Sequence, residues 1–399
     1  MDNGIPCDFA WVPGYLHSVR RGDKEAEADI ARELAAAQSL GISAFYSPRI
    51  PLFQAPAAAF PHQALFHPFK YLTGLLRRMR GSRCQVFEHS AAEEILDKPS
   101  AVEVNGHRIR CGWVILATHN PLMGRTGVGA ALLLQTKLNL YTSYALGGRI
   151  PRNSVPAASY WDTATPYHYL RVDSRRTHDY AILGGEDHKT GQGDEAAAYR
   201  RLGSYWRRLF PGSPVDKRWA GQVIETNDGL PYIGATADRQ FAATGFAGNG
   251  MTFGTLGAIM ACDAVLGRAN PWSGLFDPHR KKLRGGTWRY IRENADYPYF
   301  MARRWLAGAE AKSLDQVRPG TGEIVRVQGK KVAAYRDPAG KLSLCSPICT
   351  HLQCIVRWNS ADQTWDCPCH GSRFRATGEV ISGPAEQSLQ RLPAPRGQD

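Results

Sequence analysis

No stretch of the 399 residues approaches the roughly 20 consecutive apolar residues of a membrane span, so no membrane span is expected. The first thirty residues lack the basic start and apolar core of a secretory signal, which makes the cytoplasm the expected address. Internal repeats and low-complexity tracts are also missing, so nothing points to a repeat architecture. There is no basic helix and no basic stripe interleaved with aromatics. The net charge is +13, yet the arginines are dispersed in short groups such as Arg20-Arg21, Arg77-Arg78 and Arg303-Arg304. That charge reads as a solvated basic surface. No nucleic-acid partner is expected, and an acidic partner such as an electron carrier fits the charge equally well.

What is present suits a globular chain of two or three domains, with 43% hydrophobic and 21% charged residues. The nine cysteines are uneven. Cys7, Cys84, Cys111 and Cys262 lie singly, whereas Cys345, Cys349, Cys354, Cys367 and Cys369 fall within 25 residues. Without an export signal, such clustering points to metal before disulfide staples.

Along the chain, the periodicity predicts a helix-rich opening, with helices over Glu25–Leu40 and Tyr71–Arg80 stopped by Gly41 and Gly81. Short strands are expected at Cys84–Phe87, at Ala101–Val104 and, after an Asn105-Gly106 turn, at His107–Cys111. The apolar run Trp113–Thr118 reads as a parallel-sheet strand buried on both faces. Alternating aromatics from 133 to 186 suggest an antiparallel sheet. A helix is expected over Glu195–Leu209, then a strand near Phe241, a glycine-rich loop at 244–250 and a helix over Met251–Leu266. A basic helical connector should occupy 278–312, and turns such as Pro319-Gly320 mark an all-β domain from 313 to 394.

Cys349-Thr-His351 and Cys367-Pro-Cys369-His370 form two Cys/His pairs separated by fifteen residues. Two loops, each giving one thiolate and one imidazole, satisfy a [2Fe–2S] centre with two Cys on one iron and two His on the other. The same four residues also suit tetrahedral zinc. The wider pattern resembles the Rieske family over about residues 313 to 392. That resemblance implies Cys349 and Cys367 on one iron and His351 and His370 on the other. It also implies a Cys354–Cys369 disulfide between the cluster loops, and a covering loop at Ser382-Gly-Pro384-Ala385. Zinc modules require neither feature. Ser372 would bond a bridging sulfide. Phe374 stands where high-potential members carry a tyrosine, which implies an intermediate potential.

The loop Ala243-Thr-Gly245-Phe-Ala-Gly248-Asn249-Gly250-Met251-Thr252 precedes a helix. Such a junction favours negative charge, as on a reduced flavin, although it also serves as a plain helix start. Together with Thr226–Gly234, Val114–Thr118, Asn270-Pro-Trp272, Pro166–Arg171 and Gly184–His188, it resembles the FAD-dependent oxidoreductases of the D-amino-acid oxidase and glycine oxidase type. More narrowly, it is similar to the branch with a C-terminal Rieske domain. The likeness covers most of residues 5 to 300.

The resemblance implies an α/β (α+β) flavoprotein-like body over 1–277 with an antiparallel substrate-domain sheet. Gly245, Gly248, Asn249, Gly250, Met251 and Thr252 would face the flavin, with Ala117 and Thr118 near it. Arg171 would pair with a substrate carboxylate and His168 would accept a proton, the alternative being packed or surface residues of a sheet. Family members begin with strand, G-x-G-x-x-G and helix; this sequence has no such motif, and Gly127-Val-Gly129 is no substitute. It therefore reads either as a fragment or as a chain that has lost FAD binding. The expected function is a flavin–Rieske oxidoreductase acting on an amine or amino-acid-like small molecule and serving an electron-transfer partner. The alternative is a non-catalytic electron-transfer protein with a vestigial flavin domain.

Overall fold

The computed structural model describes residues 4–79, 84–97, 100–120, 137–280, 292, 293, 295, 299, 300, 302, 311 and 313–393. The chain divides into two compact units. One comprises Met1–Glu88, Ser143–Asp187 and Ala196–Gly221; the other comprises His89–Thr142, His188–Glu195 and Gln222–Asp399. No helix of the described residues is long and apolar enough to cross a membrane.

Both helices expected in the N-terminal segment form, and three strands that the periodicity did not announce accompany them. The segment starts with strand β1 (Ala10–His17), followed by helix α1 (Lys24–Ser39), β2 (Phe45–Ser47), β3 (Ala57–Leu65) and helix α2 (Pro68–Met79). Pro13 and Gly14 disguise β1, because both read as strand breakers. The β1–β3 register shifts between Val12 and Gly14, a bulge that accommodates a residue with no N–H to donate. In β3 the alanines 57 to 59 are wholly buried, and Ile30, Leu34 and Ala37 of α1 pack with Ala58 and Phe60. Asp23 caps α1 by accepting from the Ala26 N–H, and Gly41, at φ +71°, follows its end.

Strands β4 (Ala92–Asp97), β5 (Ser100–Val104) and β6 (His107–Arg110) form an antiparallel sheet. Asn105 and Gly106 both take positive φ, as the tight hairpin requires. The strand expected at Cys84–Phe87 does not form. Ala92–Asp97 takes the place beside β5, and Val86 and Phe87 are left exposed. Strand β7 (Val114–Leu116) runs parallel to a later strand, but only one face of it is covered. Val114 and Leu116 are buried, whereas Ile115, on the opposite face, is 44% exposed.

Next come β8 (Leu138–Ile150), β9 (Ser159–Asp162), β10 (His168–Ser174), β11 (Asp179–Lys189), helix α3 (Glu195–Leu209) and β12 (Lys217–Thr226). They complete an eight-stranded sheet in the order β12-β8-β11-β10-β9-β1-β3-β2, in which β1 runs parallel to β9 while the pairs β11–β10, β10–β9, β1–β3 and β3–β2 are antiparallel. Strands β13 (Tyr232–Ala237) and β14 (Gln240–Thr244) join β7 in the three-stranded sheet, with β14 parallel to β7. Helix α4 (Gly250–Val265) and the short α5 (Ser273–Phe276) follow. The connector expected at 278–312 lies largely outside the described residues, as does Gly127-Val-Gly129.

From Leu314 the described residues are all β apart from one 3₁₀ turn. Strands β15 (Thr321–Val327), β16 (Lys330–Arg336) and β17 (Leu342–Cys345) make one sheet. The other contains β18 (Arg357–Asn359), β19 (Thr364–Asp366), β20 (Arg373–Arg375) and β21 (Val380–Ser382). Trp365 and Phe374, paired across β19 and β20, are wholly buried in the core of this region. At roughly 1.5–3 kcal/mol per large apolar side chain, that core anchors the loops beside it.

Candidate functional site

Two tight loops hold the clustered cysteines. In the first, Cys349 N–H donates to Cys354 O (2.8 Å), Gln353 N–H donates to Cys349 O (3.1 Å), and Ile348 bridges Ile355 across the base. In the second, Cys367 N–H donates to Ser372 O (2.8 Å), and Gly371, at φ +73°, donates back to Cys367 O (2.9 Å). A disulfide between Cys354 and Cys369, Cα atoms 6.5 Å apart, ties the loops together. Cys354, Cys367 and Cys369 present their sulfurs within 4.8 Å of one another, but the disulfide removes two of them as thiolate donors.

The loops separate sulfur from nitrogen. Cys349 and Cys367 are buried and lie side by side. The neighbouring Cys367 thiol holds Cys349 down to about 7 against its burial, helped by the N–H groups of His351 and Leu352 and by the Ser372 hydroxyl. Cys367 moves the opposite way, raised by Cys349 and by complete burial. The His351 and His370 rings stand perpendicular, 4.9 Å apart. Burial lowers His351 to about 4 and His370 to about 3, so both are neutral imidazoles able to offer a lone pair. Both ring nitrogens of His351 are buried without a hydrogen-bond partner, a costly arrangement that a metal ligand resolves. Two thiols with N–H donors aimed at sulfur, opposite two neutral imidazoles, match the donor set of a two-Cys, two-His iron–sulfur centre. Pro384 is buried in the loop that follows β21, and Ala385 N–H donates to Ser372 Oγ (3.0 Å).

The residues expected near a flavin lie at the C-terminal ends of the parallel strands β7 and β14. That is the place where open α/β sheets bind ligands. Ala117 and Thr118 are exposed after β7, and Gly248, Asn249, Gly250 and Thr252 are exposed after β14, whereas Gly245 is buried and Met251 half-buried. Thr244 Oγ1 donates to His119 O (2.6 Å) and so pins the two loops together. Asn249 gives α4 no side-chain cap; its amide donates to Ala247 O instead (3.3 Å). The first turn of α4 thus keeps N–H groups for another acceptor, which fits the ring end of a flavin.

His168 and Arg171 are not brought together. Three positions apart on β10, they project to opposite faces. His168 is sealed on both nitrogens, Nδ1 2.9 Å from Asp162 Oδ2 and Nε2 3.4 Å from Glu186 Oε1, with Tyr205 edge-on to its ring. Burial lowers its pKa, but the two carboxylates override that and raise it on balance. Arg171 donates to Asp173 Oδ1 and to Phe66 O (3.2 Å), on the wall of a cavity of about 450 Å³ that Lys70, Arg175 and Arg176 also line.

Residues 1–264 match the family model for FAD dependent oxidoreductases. The chain belongs to the FAD-dependent oxidoreductase family. Residues 305–393 of this oxidoreductase match the Rieske [2Fe-2S] domain, so FAD and a Rieske cluster are the cofactors of its two domains. The Bacillus subtilis protein YhfW, named as a Rieske 2Fe-2S iron-sulfur protein, is 30% identical over 98% of the oxidoreductase, which spans 76% of that relative. The cytochrome b6-f complex iron-sulfur subunit of Chlorobaculum thiosulfatiphilum is 39% identical over 79 residues, 20% of this chain and 43% of that one. Among solved structures, the fold is similar to glycine oxidase from Geobacillus kaustophilus (TM-score 0.59, 16% identity, 70% of this chain and 77% of that one). It is also similar to L-proline dehydrogenase from P. horikoshii (TM-score 0.57, 18% identity, 69% and 78%).

Sequence reasoning missed Gln192 and Gln222, which hydrogen-bond the second cluster loop, and His119, which joins the loop after β7 to β12 and β14. Single polar residues carry no motif. Only their neighbours in space reveal them.

Proposed function

We propose that this oxidoreductase removes two electrons from a small amine or amino-acid-like substrate and passes them singly through the Rieske centre to an electron-transfer partner in the cytoplasm. Bound flavin supplies the two-electron oxidation of a carbon–nitrogen unit, and the cluster supplies one-electron storage. Cys349 and Cys367 hold one iron, and His351 and His370 hold the other. Ser372 and the backbone N–H groups of 351, 352, 369 and 370 stabilise the sulfurs. Residues 117–118 and 245–252 position the flavin ring. The observation that carries this reading is that the cluster loops and the exposed loops after β7 and β14 belong to one compact unit. Arg171 bonds Asp173 and Phe66 O but lines an open cavity with Lys70, Arg175 and Arg176, and so suits a substrate carboxylate better than His168, both of whose nitrogens are engaged, suits a base.

The test quantifies iron and acid-released flavin per polypeptide, with FAD supplied in excess. It then follows cluster reduction by electron paramagnetic resonance under anaerobic challenge with amino acids and N-alkyl amines. Two irons, bound flavin and substrate-dependent reduction are expected. Two irons without flavin or substrate-dependent reduction would establish the second reading, an electron carrier with a vestigial flavin domain. The sealed His168 favours that reading.

A further inference from the structure

The second cluster loop is clamped to strand ends of its own unit. Gln192 Nε2 donates to Pro368 O (2.7 Å), and Arg357 donates to Gly191 O (3.1 Å). Gly191 and Gly371 both take positive φ at the closest approach. A Cβ on Gly191 would lie 2.8 Å from the Cys367 backbone, and one on Gly371 would lie 2.8 Å from Leu140 Cβ. The space left beside His370 and Gly371 is about 10 Å³, at most one water.

Gln222 is the hub. Its Nε2 donates to Gly371 O (2.7 Å), next to His370, and its Oε1 accepts from Ser382 Oγ (2.5 Å) at the end of β21, which leads into the Pro384 loop. One amide therefore holds both the His370 loop and the proline loop. On its other side, the Gln222 backbone hydrogen-bonds the His119 imidazole, and the His119 carbonyl accepts from Thr244 at the head of the glycine-rich loop. A second link runs from Ala247 N–H to Ile224 O (2.9 Å), two residues along β12. From the loops expected to face the flavin to a histidine of the cluster, the connection is three hydrogen bonds joined by stretches of covalent chain in His119, Gln222 and 370–371.

We propose that Gln222 is the positioning residue of internal electron transfer, and that the chain Thr244–His119–Gln222–Gly371 is the route from flavin to cluster. The proposal rests on the flavin–Rieske reading above. One electron at a time crosses this route and takes the diferric pair to the ferric–ferrous state. An external one-electron acceptor removes it before the next crosses, and the two protons released by substrate oxidation leave to water. The route enters through His370 and needs no swinging of the cluster loops.

The test compares wild type, Gln222→Leu and His119→Phe. In the protein as purified, hydrogen exchange over 368–372 and 380–383 should rise about tenfold in Gln222→Leu as its side-chain hydrogen bonds to Gly371 and Ser382 are lost. Iron content and midpoint potential should stay unchanged, because Gln222 touches neither a cluster sulfur nor a ligating nitrogen. In flavin-loaded protein, cluster reduction after flash reduction of the flavin should slow by about tenfold or more in both variants, as for a misplaced reacting pair. His119→Phe carries the kinetic test if Gln222→Leu fails to assemble its cluster. Unchanged exchange in Gln222→Leu overturns the clamp, and wild-type transfer rates in the variants overturn the route while leaving the proposed function intact. Normal clamping with no flavin-to-cluster transfer in the wild type overturns the function and the route together.

Discussion

Removing the guanidinium of Arg280 should open the loop that supports the glycine-rich turn. Arg280 is 6% exposed and its partner Asp228 3%. The pair is bidentate, Nε to Oδ2 at 2.8 Å and NH2 to Oδ1 at 2.7 Å, and further hydrogen bonds reach Leu230 O (2.7 Å) and Pro231 O (3.0 Å). The same guanidinium sits 4.0 Å above the Tyr232 ring. At about 4 Å and an effective dielectric near 20, the charge pair is worth roughly 4 kcal/mol. Removing one partner of a buried pair costs about 3–5 kcal/mol, since the other charge stays desolvated. Arg280→Ala should therefore raise local opening of residues 226–232, read by hydrogen exchange, by about two to three and a half decades at 1.36 kcal/mol each. Retained flavin should fall with it, because Thr226 packs against Gly245. Arg280→Met with Asp228→Asn, which removes both charges, should recover most of the loss. Burial pushes the Asp228 carboxyl up, but Arg280 overrides it and leaves the folded value below 3.8. The pair's stabilisation is thus complete above that pH and fades as pH falls below it. An Arg280→Ala cost under about 1 kcal/mol, or a double variant as damaged as the sum of the singles, would refute the reasoning.

Phe374→Tyr should raise the cluster's midpoint potential by some tens of millivolts, the equivalent of about 1 kcal/mol of preferential stabilisation of the reduced state; voltammetry showing no rise counts against it. His168→Gln should lower the thermal midpoint more at pH 6 than at pH 9. The folded pKa of His168 lies above 6.5, so its pairing with Asp162 and Glu186 stabilises fully below that value and is lost as pH rises through the folded one. Buried His17 is shifted down beside the same Asp162 and works in the opposite direction, so the difference between variant and wild type is the quantity to compare. Equal losses at both pH values would contradict the assignment. Converting Cys354 and Cys369 to serine should cost about 3 kcal/mol, from the fifteen-residue separation, and accelerate iron loss on heating; unchanged iron retention would show that the loops hold without the bond.

Much of this protein can be read without coordinates wherever one residue type has one physical use. The Cys/His spacings announce two loops around one centre, Asn105-Gly106 announces a turn that needs positive φ, and the stripe of Ile30, Leu34 and Ala37 announces an amphipathic helix. Strands β1 and β3 escape such reading because Pro13, Gly14 and a row of alanines are locally ambiguous. Their strand character comes from hydrogen-bonding partners distant in sequence and from α1 packed on the alanines. Ile115 is exposed for a similar reason, since a strand is buried on two faces only if two layers cover it. His168 and Arg171 look like a pair in the sequence, but strand alternation sends them to opposite faces. The sequence by itself determined the family, the chemical kind of each cofactor's donors and the local turns. Tertiary structure alone decided that Gln222, an ordinary polar residue in the middle of β12, lies within 2.7 Å of the cluster loop, because hydrogen bonds between residues about 150 positions apart leave no trace in local spacing.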